Sequence, residues 1–333
     1  MRINRVFFVG LVVTFLLLVS NMSPAFADTE GEASLPFGGQ LRQFNFYGLD
    51  STDADNVWCV GAFGAIAHSG DGGKVWKLQE STVLSELYDV DFADGKTGWV
   101  VGRHGVILKT IDGGNVWVRQ ESNVETALFG VSFVDSNTGW AVGEINTILH
   151  TDNGGETWVK QDEENDRILN QVVFVDSNTG WAVGEYGTII HTSDGGKQWS
   201  PQVNPKGTDI LYGACFTDAN YGVAVGIGGY TIATEDGGAT WTILDSAVDE
   251  ALYGIHIVGQ KAWTVGMKGL YATSQDAGRT WTDKTGSLHC FIWIYRIYFS
   301  NENNGWACGA NGTILYTADG GNSWRLPEKL ILK

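Results

Sequence analysis

The sequence predicts an all-β fold, a seven-bladed β-propeller with four antiparallel strands in each blade. Three observations support this prediction. A short pattern occurs seven times, with Ser or Thr, then Asp or Asn two residues later, then glycine, and finally Trp. The seven Trp residues that end the pattern are 40 to 43 residues apart. Short apolar segments and Gly-, Asn- or Asp-containing turns fill the intervals, and a repeat of about 40–45 residues with such strands is typical of propeller blades.

The third repeat shows the four strands of one blade most clearly. Its strand candidates are residues 128–134, 139–143, 147–151 and 157–161, which read LFGVSFV, GWAVG, TILHT and TWVKQ. Alternating apolar residues bounded by turn residues favour strands over helices. The same pattern recurs along the chain, and the predicted blades begin near Phe46, Leu87, Leu128, Leu169, Leu211, Leu252 and Ile294.

The chain is predicted to contain a secretory signal peptide at residues 1–27, a leader at 28–45 and the propeller at 46–333. Two arginines precede an apolar run, and Ala25 and Ala27 stand where signal peptidase prefers small residues. The apolar run is shorter than the roughly 20 residues of a membrane span. An uncleaved N-terminal anchor is the alternative. We therefore expect an exported protein, periplasmic or extracellular, that does not span a membrane after cleavage near Ala27.

Composition narrows the classes of partner. The formal net charge is −17 and the sequence pI is about 4.6. Nucleic acid and anionic lipid surfaces should repel so acidic a protein, so we expect no nucleic-acid partner. No motif has the spacing of metal ligands or of a cofactor site, and neither a metal nor a cofactor is expected.

Two columns of aromatic residues recur once per repeat. The column in strand one is Tyr47, Tyr88, Phe129, Tyr212, Tyr253 and Tyr295, with Asn170 in the fourth blade. The column in strand two is Trp58, Trp99, Trp140, Trp181, Trp263 and Trp306, with Val223 in the fifth blade. Because strand residues two apart share a face, we expect the strand-one aromatics to lie on the same face as the apolar residues two positions later.

The repeated Asp turn is predicted to be structural. Its acceptor residues are Asp71, Asp112, Asn153, Asp194, Asp236, Asp276 and Asp319. Such a side chain accepts backbone N–H bonds in an Asx-turn, and Asn153 shows that no charge is required. A Ca²⁺ loop needs six or more oxygen ligands. A phosphate loop needs a lysine and a helix after the glycines, whereas a strand follows here.

These turns carry a family resemblance. The pattern Ser/Thr-x-Asp-x-Gly-x-x-Trp is the Asp-box, or BNR repeat, and the unit GWAVGEYGTIIHTSDGGKQW at residues 180–199 resembles the photosystem II stability and assembly factor family. The resemblance covers residues 44–333. It implies a non-enzymatic seven-bladed propeller that assists early reaction-centre assembly in the thylakoid lumen or at the membrane. Bacteria without photosystems have members with the same unit.

The family resemblance also implies a basic, Arg-bearing patch that meets the partner. The first residues of the turns after strand two are Ala62, Arg103, Glu144, Glu185, Ile227, Met267 and Ala310. Only Arg103 is basic among them, which departs from the family pattern. Sialidases also carry Asp-boxes, but their catalytic Arg triad with a Tyr–Glu pair has no counterpart here.

The face formed by these turns and by the loops between blades is the predicted binding face. Its inter-blade loops, residues 79–86, 120–127, 161–168 and 244–251, are rich in acids. One interpretation is a solvated rim that keeps the protein soluble; the other is a docking surface for a basic partner segment. Candidate binding residues are Arg103, Glu144, Glu185 and the adjacent Tyr186.

A lengthened junction before the seventh blade breaks the repeat. It adds Trp293, and Arg296 fills a column that holds glycine in four other blades. That column is expected near the central channel, where Asp50, Asp89 and Asp91 could face Arg296. An ion-pair cluster that closes the ring is one interpretation, and a binding pocket around Trp293 and Arg296 is the other.

The chain contains four cysteines, and an even count in an exported protein permits disulfides. Cys59 and Cys308 lie in blades one and seven, which are neighbours in the closed ring. A disulfide between them is possible if their Cβ atoms approach to about 4 Å.

The leading functional hypothesis is a non-catalytic, monomeric binding or assembly propeller. Its partner is predicted to be a protein, with a membrane-complex subunit as the candidate, and the involvement of a photosystem stays open. The alternative is a carbohydrate-binding or glycoside-hydrolysing propeller in which Glu144 and Glu185 act as acid and base. That chemistry requires the two carboxyl groups to lie about 5–9.5 Å apart.

Overall fold

The computed structural model describes residues 44–161 and 166–331. The predicted signal peptide and nearly all of the leader therefore lie outside the described residues, as do residues 162–165 of one acidic loop. Within the described part of the chain, seven β-sheets follow one another, and each first strand contacts the first strand of the next sheet around to the start. This arrangement confirms the predicted seven-bladed propeller.

The first four blades each contain four antiparallel strands in chain order from the channel outward. They are β1 (Phe46–Ser51), β2 (Asn56–Gly61), β3 (Ile66–Gly70), β4 (Val75–Gln79), β5 (Leu87–Phe92), β6 (Gly98–Gly102), β7 (Ile107–Thr110), β8 (Val118–Gln120), β9 (Leu128–Phe133), β10 (Gly139–Gly143), β11 (Ile148–Thr151), β12 (Val159–Lys160), β13 (Leu169–Phe174), β14 (Gly180–Gly184), β15 (Ile189–Thr192) and β16 (Ser200–Pro201).

The last three blades have the same strand order, but the seventh blade has three described strands instead of four. They are β17 (Leu211–Phe216), β18 (Gly222–Gly226), β19 (Thr231–Thr234), β20 (Thr242–Leu244), β21 (Leu252–Val258), β22 (Lys261–Gly266), β23 (Tyr271–Ser274), β24 (Thr282–Asp283), β25 (Ile294–Phe299), β26 (Gly305–Gly309) and β27 (Ile314–Thr317). Single 3₁₀ turns follow strand two in six blades: Ala62–Gly64, Arg103–Gly105, Glu185–Gly187, Ile227–Gly229, Met267–Gly269 and Ala310–Gly312. Among the residues described, no helix is long and apolar enough to cross a membrane.

The ring closes through a strand that the repeat does not predict. In blade seven the fourth strand is reduced to one bridge between Tyr316 and Arg325. Pro327 follows two residues after Arg325, and because proline has no N–H it cannot continue the ladder. The chain instead forms β28 (Lys329–Ile331), which pairs in parallel with β4 of blade one. Blade one therefore has five strands among the described residues.

Aromatic stacking fills the interfaces between blades. In five interfaces the strand-two Trp of one blade stacks on a strand-one Phe of the next; the pairs are Trp58–Phe92, Trp99–Phe133, Trp140–Phe174, Trp181–Phe216 and Trp263–Phe299, with ring centroids 3.4–3.7 Å apart. The strand-two Trp residues are almost completely buried. These contacts remove large apolar areas from water, the dominant stabilising effect in such a fold.

The Asp-box turn is held by hydrogen bonds within itself. In blade three, Thr151 Oγ1 donates to Asn153 Oδ1 at 2.9 Å and accepts from the N–H of Gly155 at 2.8 Å. Asn153 Oδ1 also accepts from the N–H of Thr157 at 3.0 Å. The other six turns use the same hydroxyl and carboxylate positions. The acceptor oxygens are thus engaged with their own backbone.

The same turn also joins neighbouring blades. The carbonyl of Gly113 in the second Asp-box accepts from Trp58 Nε1 at 3.3 Å and from Gln79 Nε2 at 3.0 Å, both in blade one. Gln79 Oε1 in turn accepts from the indole of Trp117 at 3.1 Å. Gln120, Gln161 and Gln202 repeat this bridge at the next three interfaces. We call this set of bonds the Trp–Gln latch.

Candidate functional site

The propeller has two faces with different chemistry. The Asp-box turns and the turns between strands one and two form one face, called the Asp-box face below. The turns between strands two and three and the loops between blades form the other, called the loop face. These two elements of the loop face are tightly packed: a Cβ at Gly64, whose φ is +71°, would lie 2.0 Å from the carbonyl oxygen of Val83. Only glycine fits there.

The loop-face turns project exposed side chains from strained backbone. The middle residues Phe63, Ile145 and Tyr186 have φ of 56°, 51° and 54°, and their side chains are 55–59% exposed. Positive φ is uncommon for non-glycine residues and is an outlier for a β-branched one such as Ile145. His104, Lys268 and Asn311 occupy equivalent positions in three other blades. We call Phe63, Ile145 and Tyr186 the apolar tips.

Strand-one aromatics surround the mouth of the central channel. Adjacent rings lie 5.1–5.8 Å apart in the pairs Tyr47–Tyr88, Tyr88–Phe129, Tyr212–Tyr253, Tyr253–Tyr295 and Tyr47–Tyr295. Blade four interrupts the series with Asn170, whose Nδ2 donates to the carbonyl of Leu211 at 2.8 Å. We call the seven side chains at this position the aromatic collar.

A β-bulge sets the direction of the collar. In every blade the strand-one register shifts at this residue, as between Phe46 and Gly48 in blade one. The prediction that the aromatic column shares a face with the apolar residues two positions later is therefore wrong. Leu49 belongs to a core between blades, whereas Tyr47 belongs to the collar. A bulge commonly re-aims one side chain in this way.

The charges of four glutamates on the loop face contribute to the raised pKa values of the collar tyrosines. Burial raises the pKa of Tyr212 to about 12, with the nearby charge of Glu185 adding to the shift. Burial likewise raises the pKa values of Tyr47, Tyr88 and Tyr253, and charges from other glutamates contribute. Those glutamates are Glu86, Glu144 and Glu250. The mouth of the channel therefore combines aromatic walls with negative charge.

These glutamates differ in what they bind. Glu86 pairs with Arg103 at 3.3 Å, and Glu250 pairs with Lys268. Glu144 accepts from the N–H of Ala127 at 3.1 Å. Glu185 is only 7% exposed as a residue, and no hydrogen bond or ion pair engages its side chain among residues 44–161 and 166–331, although its carboxylate oxygens are not fully enclosed. Burial alone raises the pKa of Glu185.

Glu144 and Glu185 occupy equivalent positions in the sequence repeats, but their side chains lie in different environments. Glu144 is partly exposed and bonded to backbone, whereas Glu185 is buried without a partner. Tyr186 follows Glu185 and is one of the apolar tips. Arg103, the basic candidate, is neutralised by Glu86.

Deeper in the channel lies a group of buried carboxyls. The predicted ion pair of Arg296 is formed with Asp89, at 3.8 Å between Nε and Oδ1. Burial raises the pKa of Asp50 to about 6, although Phe92 N–H donates to it. Burial and the charge of Asp50 raise the pKa of Asp91 well above its usual range.

These carboxyls satisfy the inner edges of neighbouring blades. Asp50 Oδ2 accepts from Phe92 N–H at 2.7 Å, Asp89 Oδ2 accepts from Val131 N–H at 3.2 Å, and Asp91 accepts from the backbone of the third blade. A first strand exposes unpaired N–H groups toward the channel, so these side chains complete its hydrogen bonding. Arg296 is accordingly a channel residue and does not lie on the loop-face surface.

Trp293 lies beside the collar. Its ring is 6.5 Å from that of Tyr295 in an edge-to-face arrangement, and its carbonyl accepts from Ala310 N–H at 2.8 Å. Trp293 therefore lies next to Tyr295 of the collar, whereas Arg296 lies among the channel carboxyls. The pocket around Trp293 stays a prediction.

The two candidate disulfide residues meet at the closure seam. Cys59 and Cys308 are buried in one apolar cluster shared by blades one and seven, and both are free thiols here. Burial and the neighbouring Cys308 raise the pKa of Cys59 well above its usual range. The disulfide stays a prediction for the oxidised protein. Among the described residues, no group of three or more His, Cys, Asp or Glu side chains is placed to hold a metal ion.

Solved structures share this architecture. A structure titled YCF48 bound to D1 peptide is 20% identical, with a TM-score of 0.70, and the match covers 83% of this chain and 92% of that one. YCF48 from Cyanidioschyzon merolae gives 20% identity, a TM-score of 0.70 and coverage of 85% and 97%. An ancestral GH74 enzyme gives 14% identity and a TM-score of 0.65 over 84% of this chain and 46% of that one. At these identities the likeness shows the fold alone.

Sequence comparison goes further than the fold. No curated protein matches the chain. The family model described as photosynthesis system II assembly factor YCF48 matches residues 28–111, 76–164, 114–206 and 201–289. These overlapping matches span more than half of the chain and confirm the resemblance seen in the Asp-box units. The chain belongs to the photosynthesis system II assembly factor YCF48 family.

Proposed function

We propose that this protein is a non-enzymatic, assembly-factor-like propeller that binds a partner polypeptide on its loop face. The observation that carries the proposal is the set of apolar tips, Phe63, Ile145 and Tyr186, which are exposed on strained turns of one face. Strained backbone persists when surrounding structure enforces it, and it concentrates at binding sites. Exposed aromatic and aliphatic side chains on rigid turns are suitable anchors for a protein interface.

The identity of the partner is the finer part of the proposal. One solved relative is described as YCF48 bound to a D1 peptide, which supports a polypeptide ligand for this chain. We propose that the partner is a subunit, or a precursor of a subunit, of a membrane complex. Charge supports a partner segment with basic residues, because the chain carries a net charge of −17.

Export is proposed on the sequence alone. The N-terminal arginines, the apolar run and Ala25 and Ala27 match a signal peptide, and we propose that the propeller works as a monomer outside the cytoplasm. N-terminal sequencing of the natural protein tests this directly. A mature chain that begins after Ala27 supports export, and an N-terminus at Met1 in the cytoplasmic fraction contradicts it.

Partner capture with matched surface variants tests the binding face. An Ile145→Ser, Tyr186→Ser double variant should lose the protein that the tagged wild type captures from its own cells. The control is an Ile111→Ser, Val116→Ser variant, which changes side chains that are 71% and 57% exposed on the Asp-box face. Equal capture by both variants would contradict the proposal.

A glycan screen tests the carbohydrate alternative separately. The probe is hydrolysis of a panel of oligosaccharides by the wild type and by a Glu144→Gln, Glu185→Gln variant. We expect no turnover by either protein. Turnover by the wild type that the variant loses would support the carbohydrate-active alternative instead.

A further inference from the structure

We propose that the channel mouth at blade four binds a lysine or arginine side chain of the partner polypeptide. Glu185 is the counter-ion, and the neighbouring aromatic side chains of the collar are the walls. The inference rests on the proposed function, because it identifies the chemistry that the loop face recognises in its protein partner.

The first argument is the unpaired state of Glu185. The other three glutamates that act on the collar already have partners: Arg103, Lys268 and the N–H of Ala127. Glu185 is 7% exposed as a residue, and no hydrogen bond or ion pair engages its side chain in the part of the chain that the structure describes. Its carboxylate oxygens are not fully enclosed by the described residues, so an outside group can reach them. Partial burial disfavours their charge, and a cation beside them offsets that cost. The site is therefore arranged for a positive group from outside.

The second argument is the shape of the collar around Glu185. The collar is continuous except at Asn170, in the same blade as Glu185. The aromatic side chains on either side of this gap are Phe129 and Tyr212, and both are partly exposed. The faces of aromatic rings attract ammonium and guanidinium groups. The series of rings is thus interrupted in the blade that carries Glu185, and the turn of Glu185 contacts the strand of Tyr212.

An organic cation fits these groups better than a metal ion. Ca²⁺ takes six to eight oxygen ligands, whereas Glu185 and the side-chain amide of Asn170 supply few. Rings of Phe and Tyr are not metal ligands of that kind, but they do line sites for organic cations. The donor set therefore matches a lysine ammonium or an arginine guanidinium.

A peptide is the occupant that the surrounding surface indicates. Tyr186 follows Glu185 and is 56% exposed, and Ile145 in the adjacent blade is 59% exposed. These apolar tips would contact the residues that flank the basic side chain. The net charge of −17 attracts a basic segment over longer distances.

Binding of short capped peptides tests the inference. The probe is acetyl-Gly-Ala-Lys-Ala-Tyr-amide, together with the same peptide carrying arginine or norleucine in place of lysine, measured by NMR titration of the folded protein. The lysine or arginine peptide should bind the wild type about tenfold more tightly than the norleucine peptide. Glu185→Gln should remove this preference. Glu144→Gln, the matched control in the adjacent blade, should keep it.

The inference is overturned if the norleucine peptide binds as tightly as the basic ones. It is also overturned if Glu185→Gln retains the preference, or if neither basic peptide shifts any resonance of the channel mouth at millimolar concentration. A thermal melt of Glu185→Gln should match or exceed that of the wild type, which shows that any lost binding does not come from unfolding. If the apolar-tip variant still loses its captured partner in these cases, this inference fails and the proposed function stands.

Discussion

The hydroxyl of Tyr221 donates to the backbone oxygen of Ala277 at 2.8 Å, across the interface between blades five and six. In the other six blades an indole makes the corresponding bond to the Asp-box of the next blade. Blade five has Val223 at the indole position, and the tyrosine two residues earlier replaces it. The bond is thus present at all seven interfaces, although its donor changes.

Removal of this hydroxyl should weaken the interface. Tyr221→Phe keeps the ring under the guanidinium of Arg279 but leaves the Ala277 oxygen without its donor. We expect a loss of about 1–2 kcal/mol in the free energy of unfolding, measured by urea denaturation. Tyr186→Phe, which alters an exposed hydroxyl, is the control. Equal stability of the two variants would contradict a structural role for the bond.

The interface between blades five and six also lacks the Gln of the Trp–Gln latch. Leu244 stands where Gln79, Gln120, Gln161 and Gln202 stand in the first four blades, and the indole nitrogen of Trp281 is buried without a partner. Leu244→Gln should supply that partner and stabilise the protein by about 1 kcal/mol. Leu244→Met keeps a similar volume and adds no acceptor of comparable strength. If the melting temperatures of the Gln and Met variants agree, the latch does not stabilise the ring as described.

Relief of backbone strain at an apolar tip should increase the stability of the protein and weaken its binding to the partner. Ile145 has φ of 51°, a conformation that disfavours a β-branched residue by roughly 1–2 kcal/mol. Ile145→Gly should therefore raise the free energy of unfolding by about 1 kcal/mol while weakening capture of the partner. Val116→Gly, at a position without positive φ, should lower stability. An Ile145→Gly variant less stable than the wild type would show that the tip packs favourably.

The buried channel carboxyls should make stability fall as pH rises. Burial raises the pKa of Asp50 to about 6 in the folded protein, above the value of about 3.9 in an unfolded chain. The folded state therefore holds this proton more tightly, and the associated stability is present below about pH 4 and lost as pH rises through 6. Asp50→Asn should be about 1–3 kcal/mol more stable than the wild type at pH 8.

The advantage of Asp50→Asn should vanish at pH 4, where the wild-type carboxyl is protonated. Asp89→Asn is the comparison variant: burial also raises the pKa of Asp89, but the charge of Arg296 opposes the shift, so this variant should gain less stability at pH 8 than Asp50→Asn. Urea titrations at the two pH values measure both effects. A constant difference between Asp50→Asn and the wild type across this range would contradict the raised pKa.

The fold was predictable because its signal is repeated. Seven copies of the Asp-box at nearly constant spacing define blade number, strand order and the stacked Trp and Phe columns. The Gln of the latch was also visible, since it stands three residues after the Asp-box Trp in four repeats. The sequence does not reveal the role of this Gln, because the groups that it bonds lie in the next blade. The closing strand β28 has no repeat signal at all, and only Pro327 indicates that the ordinary fourth strand ends.

The candidate site was less predictable, because its distinguishing features are not repeated from blade to blade. Glu144 and Glu185 look alike in the aligned repeats, yet one binds the backbone of Ala127 and the other is buried without a partner. The bulge that turns the collar toward the channel changes no residue in the pattern, so alternation alone placed Tyr47 on the wrong face. Features that distinguish one blade from another depend on packing around the ring, which a repeat hides.

Site-specific photo-crosslinking in the natural host tests the central claim, that the loop face binds a partner protein. Benzoylphenylalanine is placed at Tyr186 on the loop face, or at Ile111 on the Asp-box face, where the side chain is similarly exposed. We predict that one polypeptide is crosslinked from Tyr186 and is absent from the Ile111 sample. The same polypeptide crosslinked from Ile111 and absent from the Tyr186 sample would contradict the claim.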